Sequence, residues 1–176
     1  MACWNLIEHK ELGASATSVS FTSISASYDH LVLLSSARSD DAGVYDFMNF
    51  QVNGDTGTNY TRTAINANTG TPNSVAGTGG SYWTYNYIPA AGALADTFGT
   101  CETWFIDYSN TSNYTQIMTR SGMSNNSTTD GQWGIRFEGG LWLNTAAINR
   151  VDALQESGDD FVQYSTFTLY GINGAG

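Results

Sequence analysis

Apolar and polar residues alternate with period two in short runs along nearly the whole chain, the pattern of half-buried β-strands. The clearest run covers residues 161–172. Ser165, Phe167 and Leu169 fall on one side of it, and Thr166, Thr168 and Tyr170 on the other. That register predicts Phe167 and Leu169 in the core, in a strand that docks into a sheet built by distant earlier segments. Residues 30–38 form the most continuous apolar run, which predicts a buried central strand. Further strands are predicted at 4–12, 17–24, 44–52, 60–67, 83–88, 101–108, 114–120 and 132–138, the last ending at Gly139-Gly140. Residues 68–81 read as a long Gly, Thr, Asn and Ser loop, and 90–95 as a small, weakly helical crossover. Ile148, Val151 and Leu154 fit a strand or a helical turn equally well. Many short strands between polar turns predict an all-β protein. The expected architecture is a single-domain antiparallel β-sandwich, jelly-roll-like, over residues 1–176, with residues 1–12 a docking N-terminal strand.

Composition narrows the possible partners. Charged residues are 12% of the chain, against the usual quarter or so, and Ser, Thr, Asn and Gly take their place. Six Lys plus Arg face 16 Asp plus Glu, giving a net charge of −10, and Lys10 is the sole lysine. No basic patch is available for nucleic acid, and an anionic membrane surface is disfavoured for the same reason. No apolar run approaches the ~18 residues of a membrane-spanning helix. The first residues lack the basic-then-apolar pattern of a secretory signal, so none is expected there. Cys3 and Cys101 have no metal-ligand spacing and are expected to be buried thiols, with a disulfide between them as the alternative.

Few residues suggest catalysis or metal binding. His9 and His30 are the only histidines, and no nucleophile motif accompanies them, so a hydrolytic triad is not expected. Glu102, Asp107 and Glu138 are the carboxylates that a glycosidase reading would need. Glu102 and Asp107, five apart, fall on opposite faces of a regular strand, and the plainer reading is structural. Asn53-Gly-Asp-Thr-Gly-Thr-Asn59 places oxygen groups at alternate positions as a calcium loop does. It lacks the closing bidentate Glu, and a turn bonded to its own backbone is the expectation. No cofactor or metal is implied. Trp83, Tyr85 and Tyr87 are candidates for stacking on sugars, or else face the core or a subunit interface. Sequons at Asn59, Asn110 and Asn113 arise by chance in a chain so rich in Asn, Ser and Thr.

Several stretches carry a family resemblance. They are Leu12-Gly-Ala-Ser-Ala-Thr-Ser-Val-Ser-Phe-Thr-Ser-Ile24, Tyr28-Asp-His-Leu-Val-Leu-Leu34 and Ser36-Ala-Arg-Ser-Asp40. Val52-Asn-Gly-Asp-Thr-Gly-Thr-Asn-Tyr60, Ile106-Asp-Tyr108, Thr145-Ala-Ala-Ile148 and Ser165-Thr-Phe-Thr-Leu-Tyr-Gly-Ile172 complete the set. Together they cover most of the chain, which resembles a group of small bacteriophage virion structural proteins of the head-decoration or tail-fibre type. The resemblance implies a β-sandwich and a non-enzymatic role on the particle, with no catalytic residues to carry over. It leads to an expected function as a capsid decoration (cement) subunit that bridges capsomers. Its partners would be the major capsid protein or other virion proteins and copies of itself, with a trimer as one arrangement. Trp4, Leu6 and Ile7 are then the expected docking residues. The alternative is a tail-fibre module that binds host-surface glycans through Trp83, Tyr85 and Tyr87. A glycan-cleaving enzyme stands behind both.

Overall fold

Side chains that alternate along a strand are stable only if one set is covered, and here two sheets cover each other. The computed structural model describes residues 3–156 and 158–173, and every regular element among them is a strand. In chain order these are β1 (Cys3–Glu11), β2 (Ser18–Phe21), β3 (His30–Ala37), β4 (Tyr45–Val52), β5 (Tyr60–Ala67) and β6 (Asn73–Gly80). They continue with β7 (Trp83–Pro89), β8 (Gly99–Ile106), β9 (Thr115–Met123), β10 (Gly134–Trp142), β11 (Val151–Gln155) and β12 (Thr166–Asn173). One sheet has eight strands in the order β1-β12-β3-β8-β9-β10-β5-β6, and the other has four in the order β2-β11-β4-β7. All pairings are antiparallel. The eight-to-four division is that of a β-sandwich and does not single out the jelly-roll connectivity.

Phe167 and Leu169 lie in the core as their register requires. They join Leu31, Leu33, Phe105, Ile117 and Trp142 from the large sheet and Phe21, Met48, Phe50, Val52 and Val151 from the small one. The strand predicted at 30–38 is central, with β12 on one side and β8 on the other.

Three predicted irregularities resolve differently. Residues 73–80, inside the expected loop, form β6, because β5 offers a free edge to pair with. β10 does not stop at Gly139-Gly140 but runs on to Trp142. Gly140 is what allows this, since a Cβ there would run into the Trp83 indole and the Thr61 carbonyl. Residues 90–95 are not helical. The Arg38 guanidinium donates to the carbonyls of Ala91, Ala93, Leu94 and Thr97 and thereby shapes that crossing.

The resemblance motifs have structural jobs of the same kind. The Asn53 side chain accepts from the Asn149 and Arg150 amides at 2.8 and 3.1 Å and donates to the Ala147 carbonyl at 2.9 Å. It holds the irregular stretch between β10 and β11. Gly171 leaves space for the Tyr28 ring, into which a Cβ would intrude.

Candidate functional site

The feature that departs from ordinary sandwich packing is the outer face of the large sheet, the side away from β2-β11-β4-β7. In β10, Ile135 is 60% and Phe137 52% exposed, whereas their neighbours Arg136 and Glu138 are 6% and 0% exposed. The strand is inside out, with its ion pair in the interior and its apolar pair in solvent. The register extends the pattern sideways. Phe137 stands opposite Ile65 of β5 and Arg120 of β9, and Ile65 is 62% exposed. Met118 of β9 is exposed on the same face. Ile65, Pro72, Ile135 and Phe137 line a shallow depression of about 400 Å³, with Arg120 at its side. Burying one such side chain yields about 1.5–3 kcal/mol, so this face favours being covered.

Beneath it, the inverted charges are held by specific partners. Arg136 Nε donates to Glu138 Oε2 at 2.6 Å, and Arg136 Nη1 to Asn66 Oδ1 at 3.2 Å. Desolvation raises the Glu138 carboxyl above its usual value, against the pull of Arg136. Arg136 Nη2 and Glu138 Oε1 are buried without a hydrogen-bond partner.

The β1 end of the same face is aromatic. Trp4 packs edge-on against Trp104 and Tyr170, at 5.8 and 5.5 Å between ring centroids, and Leu6 stands exposed beside them, opposite Tyr170. Val32, on the strand between β12 and β8, is fully covered. Ile7 does not belong to this surface. It follows Leu6 directly, so strand alternation turns it to the opposite face, where it packs half-buried against the core. Of the three expected docking residues, Trp4 and Leu6 come together on an open face and Ile7 leaves it.

The aromatic run 83–87 is divided rather than aligned. Thr84 takes a left-handed backbone, with φ 72°, and the β4–β7 register shifts there. Trp83 is in the core at 1% exposure and cannot reach a sugar, and Tyr87 is buried too. Tyr85 remains accessible, edge-on to Tyr82 and Phe47. The Arg62 guanidinium lies 3.9 Å from the Tyr85 ring centroid. These groups rim a cleft of about 260 Å³ against the Gly77–Gly80 stretch of β6. Desolvation, helped by the Tyr85 and Glu156 contacts, raises the Tyr82 hydroxyl well above its ordinary value.

The carboxylates that an enzyme would need are kept apart. Glu102 lies on the outer face, where Trp104 Nε1 donates to it at 2.5 Å and Arg120 Nη2 at 2.7 Å. Desolvation pushes its pKa up, but these two donors outweigh it and hold the group below the ordinary range. Glu138 is buried on the opposite face, and Asp107 sits past the end of β8 beside His30 Nδ1, at 3.4 Å. His9 Nδ1 is bonded to Thr168 Oγ1 at 2.8 Å. The three carboxylates therefore do not face one shared substrate position.

In the Asn53–Asn59 turn, Asp55 points inward and accepts from Trp142 Nε1 at 2.7 Å, Gly57 N at 2.8 Å and Asn59 Nδ2 at 3.0 Å. It is the staple of a turn. Among the described residues no cluster of three or more His, Cys, Asp or Glu is placed to hold a metal ion. Both cysteines are free, and Cys3 is exposed at the sheet edge where a buried thiol was expected. Burial pushes the Cys101 thiol up to about 11.

A scan against protein-family models and a search of curated proteins return no match to this chain. The residues that the sequence reading missed are Ile65, Met118, Arg120, Ile135 and Phe137. For Ile135 and Phe137 the signal was present in residues 134–138, where Ile and Phe alternate with Arg and Glu. Alternation reveals two faces without saying which one is inside.

Proposed function

We propose that this chain is a non-enzymatic structural protein of a bacteriophage virion, acting as a decoration subunit that stabilises the head by bridging capsomers. The observation that carries the reading is the outer sheet face, where apolar side chains stand in solvent while the charged neighbours on the same strand are buried. Such a surface suits a subunit that works by adhesion. The β1 end, with Trp4 and Leu6 beside Trp104 and Tyr170, is the docking element for the major capsid protein or another virion protein. An N-terminal strand at a sheet edge can reach a neighbour, and repeated weak contacts over a particle add up through multivalency. The resemblance motifs agree with this role, since Arg38, Asn53, Asp55 and Gly171 all serve the fold. The location that follows is the virion, after assembly in the host cytoplasm.

Electron microscopy of particles carrying this chain tests the reading. Density for the sandwich over the head in hundreds of copies supports decoration. A handful of copies at the tail supports the second reading, and no copies on any particle overturns both.

That second reading is a tail-associated module that binds host-surface glycans, favoured by the cleft of Arg62, Tyr82 and Tyr85. Glycan-array binding that is lost on Tyr85→Ala would support it. Trp83→Ala is the wrong probe, because it empties the core.

A further inference from the structure

We infer that the β9-β10-β5-β6 half of the outer face is a two-fold contact with a second copy of this chain. The inference deepens the assembly reading and rests on it only for where the pair is used.

The first support is the inversion itself. Ile135 and Phe137 of β10, with Ile65 of β5 opposite Phe137, project outward while Arg136 and Glu138 lie beneath them, so the strand presents its apolar side to solvent. The second is area. Four strands at ~4.8 Å spacing and eight residues at ~3.4 Å rise give a face of ~500 Å² per copy. Two copies then bury ~1,000 Å², the threshold for a specific interface.

The third support is charge, and it selects the occupant. Copies carrying −10 each repel one another at long range, so any charge that favours pairing must be local and self-complementary. Where this half of the face meets β8 it has such a pair, the carboxylate Glu102 on β8 beside the cation Arg120 on β9. Arg120 is 69% exposed at its side chain, with only Nη2 engaged by Glu102. Across a two-fold axis the free donors of Arg120 meet Glu102 of the second copy, and the reverse contact follows by symmetry. Phe137 of each copy is the knob for the depression that Ile65, Pro72 and Ile135 form on the other.

The test is the mass of the full chain in solution by light scattering and sedimentation equilibrium, over about 1–500 µM. The expected result is twice 19.0 kDa at the upper concentrations. Phe137→Asp should weaken pairing by at least about a hundredfold, because it buries an unpaired charge. Ile135→Lys is a second disruptor, and both sites are exposed, so the thermal melt of either variant should stay near wild type. Glu102→Arg alone and Arg120→Glu alone should each weaken self-association by about tenfold or more. An equimolar mixture of those two variants should restore it as a heterodimer, which repair of the pair within one copy cannot produce.

A mass of one copy at every concentration overturns the inference. So does a three-copy mass, a dimer indifferent to both Phe137→Asp and Ile135→Lys, or a mixture no tighter than either variant alone. A monomer that still coats phage particles would remove the pairing and leave the virion role standing. A dimer with no affinity for particles would do the reverse.

Discussion

Asp55 shows how one side chain can fix a turn, two strands and a tryptophan. Its carboxylate accepts from the Trp142 indole, the Gly57 amide and the Asn59 amide group, while its carbonyl accepts from the Tyr60 hydroxyl at 3.1 Å. Desolvation acts to raise its pKa, yet the three donors prevail and the group sits below the ordinary 3.8. A carboxyl with a lowered folded pKa adds stability that is complete above its unfolded value and fades as pH falls through the folded one. Asp55→Ala should therefore cost about 1–3 kcal/mol in urea unfolding at neutral pH. The gap between variant and wild type should close as the pH drops below about 3.8. A gap unchanged at pH 2.5, or one that grows toward low pH, would contradict the assignment. The calcium-loop reading makes a separate prediction, a melting temperature raised by millimolar calcium and insensitive to magnesium. The inward-pointing carboxylate argues for no change.

At the scale of elements, Gly140 permits β10 to continue where a Gly-Gly pair suggested a stop. Gly140→Ala should destabilise by about 1–3 kcal/mol or more, since the Trp83 indole and a backbone carbonyl occupy the space. Gly139→Ala, with nothing within 4 Å of the added carbon, is the matched control and should be close to neutral in the same melt. The contrast also explains what could be read in advance. Period-two alternation exposed most of the strands, because each has one covered face, and it placed Phe167 and Leu169 correctly. It could not orient β10, since burying Arg136 and Glu138 depends on Asn66 and on each other, contacts that exist only after folding. β6 was hidden for a related reason. Its Val75-Ala-Gly-Thr-Gly-Gly80 has weak strand propensity and is a strand because β5 templates it. Of the two readings of the aromatics at 83–87, the core takes Trp83 and Tyr87, and the left-handed Thr84 and the register shift beside it break the simple alternation. Sugar-facing geometry cannot be read from spacing once a bulge intervenes. Of the expected docking residues, Trp4 and Leu6 share a face by period-two alternation, and the same alternation sends Ile7 to the other side.

For the whole molecule, the contest is between general repulsion and local apolar attraction. Copies carrying −10 each repel one another, and they also repel any shell with a negative exterior. On the proposed reading, docking through Trp4, Leu6, Trp104 and Tyr170 must overcome that repulsion by burying apolar area. The two forces respond oppositely to salt. Screening shortens the reach of charge from ~30 Å at 0.01 M to ~3 Å at 1 M and leaves apolar contacts in place. Adhesion by the apolar β1 end of the outer face should therefore tighten as salt rises, whereas docking through ion pairs would loosen. Leu6→Asp separates the two further. It removes a Leu contribution of about 1.5–3 kcal/mol and adds a charge, which predicts a loss of particle affinity of about tenfold to a hundredfold. Leu6 is exposed, so the melting temperature of the free protein should hardly move. Quantifying particle-bound chain by co-sedimentation at low and high salt, for wild type and Leu6→Asp, checks both statements together. Binding that weakens with salt, or a Leu6→Asp variant that coats particles as wild type does, would place the docking surface somewhere other than the β1 end of the sheet.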